Sequence, residues 1–345
     1  MSLSLDIQKK LGQFHLQTQI ECGNEVLSLL GASGCGKSVT LKCIAGIIRP
    51  DAGRIVLDGR ELFEKKSGIN LPLQKRRVGL LFQHYALFPN MTVSQNIRAG
   101  MKRDGIDEAK VRQIIERFGL TDVAGSYPSQ ISGGQQQRTA LARLLISGPD
   151  ILLLDEPFSA LDSHLRFRME AQLRELIRAF QKTVILVSHN RDEVYRLSDK
   201  VAIMKDGRID VCGTKDEVFQ NPKTVNAAIL TGCKNVSPVQ ILDEHHLLAS
   251  DWGLELAVSK IPEGTESVGI RMHYIYPGEG ENSFRCIVAE EIENPFSYTL
   301  MLKKEDGAEN VKAFGFEVNK DFWNKNRMGT LTVHIPEASL HYLRD

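Results

Sequence analysis

The chain has 345 residues, 42% of them hydrophobic and 25% charged, which is long enough for two domains that each bury a core and excludes a largely disordered chain. Lysine plus arginine and aspartate plus glutamate number 43 each, so no net positive field draws the chain to a nucleic-acid backbone or an anionic membrane surface, and no nucleic-acid partner is expected. The six cysteines form no C-x-x-C pair and no zinc spacing, and no apolar run reaches the roughly 18 residues needed to cross a bilayer, so a reduced, cytoplasmic location is expected, with any membrane association passing through other subunits.

In chain order, residues 1–10 alternate polar and apolar side chains and lack the long apolar core of a secretory signal. The aliphatic run at 25–30 reads as a buried strand. It leads into Gly31-Ala32-Ser33-Gly34-Cys35-Gly36-Lys37-Ser38, which matches G-x-x-x-x-G-K-[ST], and a helical pattern over 39–48 follows. The glycines let the loop curl so that backbone N–H groups and the helix N-terminus face phosphate oxygens. Residues Gly31 to Val39 are therefore the expected cradle of a nucleotide triphosphate. Lys37 would neutralise its β and γ phosphates, and Ser38 would offer a hard oxygen to Mg²⁺. The competing reading, a chance glycine-rich turn, does not account for the strand before it and the helix after it.

The next buried strand is expected at 78–82. From residue 84 to about 147 there is no convincing strand, and this stretch reads as a helical subdomain inserted into the alternation of strands and helices. Within it Val111, Ile114, Ile115 and Phe118 follow helical spacing, with Asp107 as N-cap and Gly119 as stop. The run 151–154 ends in Asp155 and Glu156, the form of a Walker B strand: Asp155 is placed to hold Mg²⁺ through water, and Glu156 to polarise the attacking water. A solvated acidic turn is the bland alternative, much weakened beside a P-loop. Leu165, Met169, Leu173, Leu176, Ile177 and Phe180 share one face of a further helix, and strands at 183–187 and 201–204 complete the pattern of a parallel sheet. After Thr231 come short strands broken by Pro, Gly and Asn, at 267–275, 283–290, 298–302 and 330–335. The expected division is a first domain over 1–231 and a small β-rich domain over 232–345.

A P-loop and a Walker B strand leave G proteins, kinases and several ATPase families open. Ile131-Ser132-Gly133-Gly134-Gln135 resembles the L-S-G-G-Q signature of ABC proteins, with Ile in the leading place. The resemblance implies an α/β fold, a P-loop NTPase of ABC type with an inserted helical subdomain, that hydrolyses ATP with Mg²⁺. It also implies a homodimer in which Ser132, Gly133, Gly134 and Gln135 of one copy meet the nucleotide on the P-loop of the other. Gln83 resembles the Q-loop glutamine, which senses Mg²⁺ and water; Ser159-Ala-Leu-Asp162 resembles the D-loop; His189 stands where the switch histidine contacts the γ-phosphate. The usual adenine-stacking aromatic is missing: Lys10-Leu11-Gly12 carries an aliphatic residue there, and Phe14 is a substitute or simply core.

The block from Leu73 through Gln83, Tyr85, Phe88 and Met91 to Val93 is similar to the Q-loop region of importer ATPases for inorganic anions, iron, polyamines and sugars. That likeness implies docking of a membrane permease on residues 85–91, and an indirect link to a substrate-binding protein. The alternative is that Tyr85, Leu87 and Phe88 pack beneath the helical subdomain. The tail, with Val268-Gly-Ile-Arg271-Met-His273, resembles the β-rich regulatory domain of such ATPases, of OB-like, TOBE type. Within the group the likeness is to molybdate importers, with tungstate as a second cargo and sulfate importers as close relatives. A DNA- or ribosome-acting ABC protein would need a coiled-coil insertion or a second cassette, and a G protein an N-K-x-D motif; Asn319-Lys320-Asp321-Phe322 does not supply the latter.

Overall fold

The structure is a computed structural model and describes residues 2–101, 105–159, 163–308 and 310–345, without the side chains of 163–165. It divides into two compact units, Met1–Lys215 and Asp216–Asp345.

The first unit begins with β1 (Leu3–Leu11), β2 (Phe14–Cys22), β3 (Val26–Gly31), α1 (Lys37–Ala45), β4 (Ala52–Leu57), β5 (Arg60–Glu64) and β6 (Ile69–Asn70). It continues through α2 (Leu73–Arg76), β7 (Val78–Leu81), α3 (Val93–Arg98), α4 (Glu108–Arg117), α5 (Gly133–Ile146), β8 (Ile151–Asp155), α6 (Ser163–Phe180), β9 (Val184–Val187), α7 (Arg191–Leu197), β10 (Lys200–Lys205) and β11 (Arg208–Thr214). The central sheet has the order β11-β10-β3-β9-β8-β7, parallel except for the edge pair β10 and β11. Strands β3, β8 and β9 are buried along their whole length, as expected for strands covered on both faces. Neighbouring residues of one strand serve opposite cores: Leu152 and Leu154 face the helices α3 to α6, whereas Ile151 and Leu153 join Leu41 and Ile44 of α1.

A second, antiparallel sheet, β2-β1-β4-β5-β6, covers the α1 side. Its first two strands alternate buried and exposed residues, the pattern of a sheet wet on one face. Between residues 84 and 147 every described regular element is helical. The helix expected around Val111 forms as α4, with the Asp107 carboxylate accepting from the N–H groups of Ala109 (3.0 Å) and Lys110 (3.2 Å).

The second unit contains α8 (Lys215–Gln220) from its second residue on, α9 (Val225–Leu230), β12 (Asn235–Ile241), β13 (His246–Ala249), β14 (Leu254–Ala257), β15 (Ser267–Ile270) and β16 (Tyr276–Pro277), followed by β17 (Ser283–Glu293), β18 (Ser297–Lys304), β19 (Phe314–Asn319), α10 (Lys320–Lys325), β20 (Thr330–His334) and β21 (Leu340–Leu343). Two five-stranded sheets, β14-β13-β12-β15-β21 and β16-β20-β17-β18-β19, enclose a core that includes Leu247, Ile270, Leu300, Phe314 and Trp323. The buried Asn235 side chain joins them, exchanging 2.7 Å hydrogen bonds with both backbone groups of Gly315. The strand expected over 267–275 stops at Ile270, because Arg271 turns its guanidinium to the carbonyls of Phe219 and Thr231 and a 3-10 turn, Met272–Tyr274, follows.

Candidate functional site

The site is built at the carboxyl ends of β3, β8 and β9, where a parallel sheet presents loops and helix N-termini to one edge. Gly36 is the N-cap of α1 at φ 111°, and a Cβ there would lie 2.8 Å from Leu16 and 3.0 Å from Phe14, so glycine is required both by conformation and by space. No side chain among the described residues caps α1, and its first N–H groups stay available for an anion. Lys37 is buried and its Nζ donates to the carbonyls of Gly31 (2.7 Å) and Ala32 (2.9 Å), which folds the ammonium into the loop. Ala32, Ser33 and Gly34 are exposed, while Gly31, Cys35 and Gly36 are buried.

Ser38 donates its hydroxyl to Asp155 at 2.9 Å, across the boundary between α1 and β8. Burial raises the Asp155 carboxyl above its ordinary range, and the neighbouring Glu156 charge adds to the effect. A buried carboxylate held against a hydroxyl is a pair of hard oxygens short of positive charge, and this donor set fits Mg²⁺. Glu156 sits in the left-handed region at φ 46°, where its N–H donates to Val187 at 2.9 Å. Its two carboxylate oxygens are bracketed: Gln83 Nε2 donates to Oε2 at 3.3 Å and His189 Nδ1 lies 3.3 Å from Oε1. The backbone twist at Glu156 aims the carboxylate between β7 and β9 instead of along β8.

Lys37, Ser38, Asp155, Glu156, Gln83 and His189 thus lie in one locale, tied by the contacts above. Ser132, Gly133, Gly134 and Gln135 stand apart at the start of α5. Ser132 and Gln135 form a capping box, with Ser132 Oγ accepting from the Gln135 N–H at 3.3 Å and the Gln135 side chain accepting from the Ser132 N–H at 2.8 Å. With its oxygen so used, the exposed Ser132 hydroxyl is left to donate outward. Phe14 is half-buried against the core that includes Leu16 and Cys35, and Leu11 is exposed. Of the Ser159-Ala-Leu-Asp162 stretch, residues 160–162 lie outside the described residues; Ser159 Oγ donates to the Glu156 carbonyl at 3.0 Å. Leu165, expected on the buried face of α6, also lies outside the described side chains.

The Tyr85 to Met91 segment divides between the two readings. Tyr85 is buried, its hydroxyl donating to the Pro157 carbonyl at 3.3 Å, and Leu87 packs on the helical core. Phe88 and Met91 are exposed. Beneath them the wholly buried Asn96 amide binds the backbone of Phe88, Met91 and Thr92, and Arg143 donates to the Tyr85 carbonyl at 2.9 Å.

Two supports escaped sequence reasoning. Arg76 is fully buried and donates to the carbonyls of Cys43 and Ile44 (2.8 Å each), closing the C-terminus of α1, and to Leu71 and Asn70. A Cβ on Gly46, the left-handed C-cap of that helix, would lie 2.6 Å from the Arg76 side chain, so α1 ends earlier than the expected residue 48. Asn190 caps α7 by accepting from the N–H groups of Asp192 (2.9 Å) and Glu193 (3.2 Å), and Ser188 donates to Glu193 at 2.7 Å, which fixes the segment carrying His189. Asn190 with Glu193 three residues on was a legible helix-start signal.

A family model described as ABC transporter matches residues 15–159. The sulfate/thiosulfate import ATP-binding protein CysA 2 of Chromobacterium violaceum is 43% identical over 63% of this chain, and the match spans 58% of that relative's length. The Fe(3+) ions import ATP-binding protein FbpC of Streptomyces coelicolor is 38% identical over 77% of this chain and 75% of its own length. Among solved structures, the ATP-binding cassette MJ0796 in a dimeric post-hydrolysis state bound to ADP and Pi aligns with a TM-score of 0.53 and 26% identity, over 62% of this chain and 99% of that one.

Proposed function

The chain belongs to the ABC transporter family as an ATP-binding, ATP-hydrolysing importer subunit, and from that premise we propose that it works as a homodimer on the cytoplasmic face of the membrane, driving uptake of an inorganic ion through permease subunits. The observation that carries this reading is the junction of Lys37, Ser38, Asp155, Glu156, Gln83 and His189 at one edge of the parallel sheet. The dimeric state of the similar cassette MJ0796 supports the pairing of two copies. No helix among the described residues is long and apolar enough to cross a membrane, so contact with the bilayer is assigned to partner subunits.

In the proposed cycle, Lys37 turns from the Gly31 and Ala32 carbonyls to the β and γ phosphates of ATP. The N–H groups of Gly34 to Val39 hold the phosphate oxygens. Ser38 and Asp155, with Gln83, would hold Mg²⁺, which supplies charge to offset the phosphates. Glu156 accepts a proton from the attacking water, and His189, oriented by Glu156, holds the γ-phosphate. Ser132, Gly133, Gly134 and Gln135 of the second copy present the free hydroxyl and the α5 N-terminus to the same phosphate. Phe14 is the proposed, half-buried wall for adenine. Phe88 and Met91 offer the apolar surface for the permease.

The names of the relatives support sulfate/thiosulfate or ferric iron as cargo over the molybdate expectation, which none of them supports. The C-terminal unit is proposed as an OB-like, TOBE-type regulatory domain. Replacing Glu156 by Gln tests the catalytic assignment: ATP binding should persist while hydrolysis falls by roughly 10²–10⁴-fold, the usual worth of a positioned base. A variant with undiminished turnover would remove Glu156 from the mechanism.

A further inference from the structure

A cavity of about 540 Å³ lies at the opposite ends of the parallel strands from the P-loop, beside the starts of β3 and β10 and the end of α6. That volume is in the range of small-molecule sites. Arg174, Arg178, Lys182, Arg196 and Lys215 line it. The two lining carboxylates are already engaged. Glu25 binds Lys200 at 3.0 Å and the Gly23 N–H at 3.1 Å, which holds it below its ordinary range, and Asp199 accepts from the Val26 N–H at 2.9 Å.

The cations are unequally satisfied. Arg196 is held by the buried Glu170 through two hydrogen bonds of 2.5 and 2.9 Å. Arg174 approaches that same carboxylate only to 3.7 Å, and its Nε has no hydrogen-bond partner among the described residues. Lys182 donates to the Pro149 carbonyl at 2.9 Å and lies 3.6 Å from Asp150, a carboxylate it shares with Arg60 and Arg77. The Lys215 ammonium lies over the Tyr195 ring. Arg178 forms no side-chain hydrogen bond or ion pair among the described residues. One cation suffices to complement the C-terminal dipole of α6, and the five cations lining the concave space outnumber its two engaged carboxylates.

We propose that this pocket binds a compact multivalent anion, carrying two or more phosphate or carboxylate groups, at a site separate from the P-loop. The forked guanidinium groups of Arg174 and Arg178 suit such oxygens, and a multivalent anion matches several cations set around one cavity. The pocket joins the end of α6 to the end of α7, the two helices that follow the segments carrying Glu156 and His189. Occupancy therefore ties together two elements that support the hydrolytic residues.

The test is isothermal titration calorimetry on the full chain carrying Lys37→Ala, which removes the phosphate-binding ammonium of the P-loop, with inorganic pyrophosphate and, separately, citrate. At least one of them should bind saturably and more weakly as salt is raised. Adding Arg174→Ala with Arg178→Ala should weaken that binding at least ten-fold, while the charge-keeping Arg178→Lys should largely retain it. Pyrophosphate alone would assign a phosphate ligand, and citrate alone a carboxylate. No saturable heat with either anion, or an affinity unchanged by the double substitution, would overturn the proposal. Should the double variant lose its circular dichroism spectrum, Lys215→Ala takes its place with the same reading.

Discussion

His341 shows how one residue sets a pH response. It lies in β21, nearly inaccessible, with an Nε2 that has no hydrogen-bond partner among the described residues. Burial, with a smaller effect of the Arg271 charge, lowers its pKa from 6.5 to about 4. Between those values the unfolded chain binds a proton that the folded chain does not, so stability rises with pH across the window. The contribution is present in full above pH 6.5 and is lost as pH falls toward 4, a change on the order of 3 kcal/mol. Both tryptophans, Trp252 and Trp323, lie in the C-terminal unit, so their fluorescence follows its unfolding alone. Denaturation at pH 7 and pH 5 should show lower stability at pH 5, and His341→Leu should flatten the difference. An equal slope in the variant would assign the response to other groups.

At the scale of elements, the P-loop helix α1 is held from both ends. Its N-terminus is fitted by Gly36, and its C-terminal carbonyls are closed by Arg76. Arg76→Met keeps much of the side-chain volume but removes the guanidinium from the Ile44 carbonyl and leaves the Cys43 carbonyl with the Gly46 N–H alone. A loss of about 3 kcal/mol in the stability of the N-terminal unit is expected, with weaker ATP binding, read by circular dichroism and nucleotide titration. A loss well under 1 kcal/mol would mean that water replaces the guanidinium. This support was not legible in advance, because a basic residue beside the polar run Gln74-Lys75-Arg76-Arg77 reads as solvated surface. The parallel strands were legible, since aliphatic runs buried on both faces have few alternative explanations. The antiparallel sheet over residues 3–70 was harder: alternation in β1 and β2 is visible, but β5 and β6, joined to their neighbours by short hairpins, are five and two residues long and too short to show it. The strand over 267–275 was read too long because a hydrophobic pattern does not reveal that Arg271 is drawn aside by two carbonyls.

For the whole molecule, the site residues read from motifs fall into two groups. Those on β3, β7, β8 and β9 meet within one chain, since a parallel sheet brings strand ends together whatever their separation in sequence. The signature residues stand at the start of α5, where the Ser132 and Gln135 side chains cap the helix, and the Ser132 hydroxyl is exposed. The central proposal is that a second copy brings its Ser132 segment to the nucleotide on this chain's P-loop. The direct measurement is the solution mass of Glu156→Gln by light scattering with ATP and Mg²⁺. The account predicts twice the chain mass of 38.6 kDa with ATP and the single mass without it. A variant that binds ATP and still scatters as one chain would contradict it.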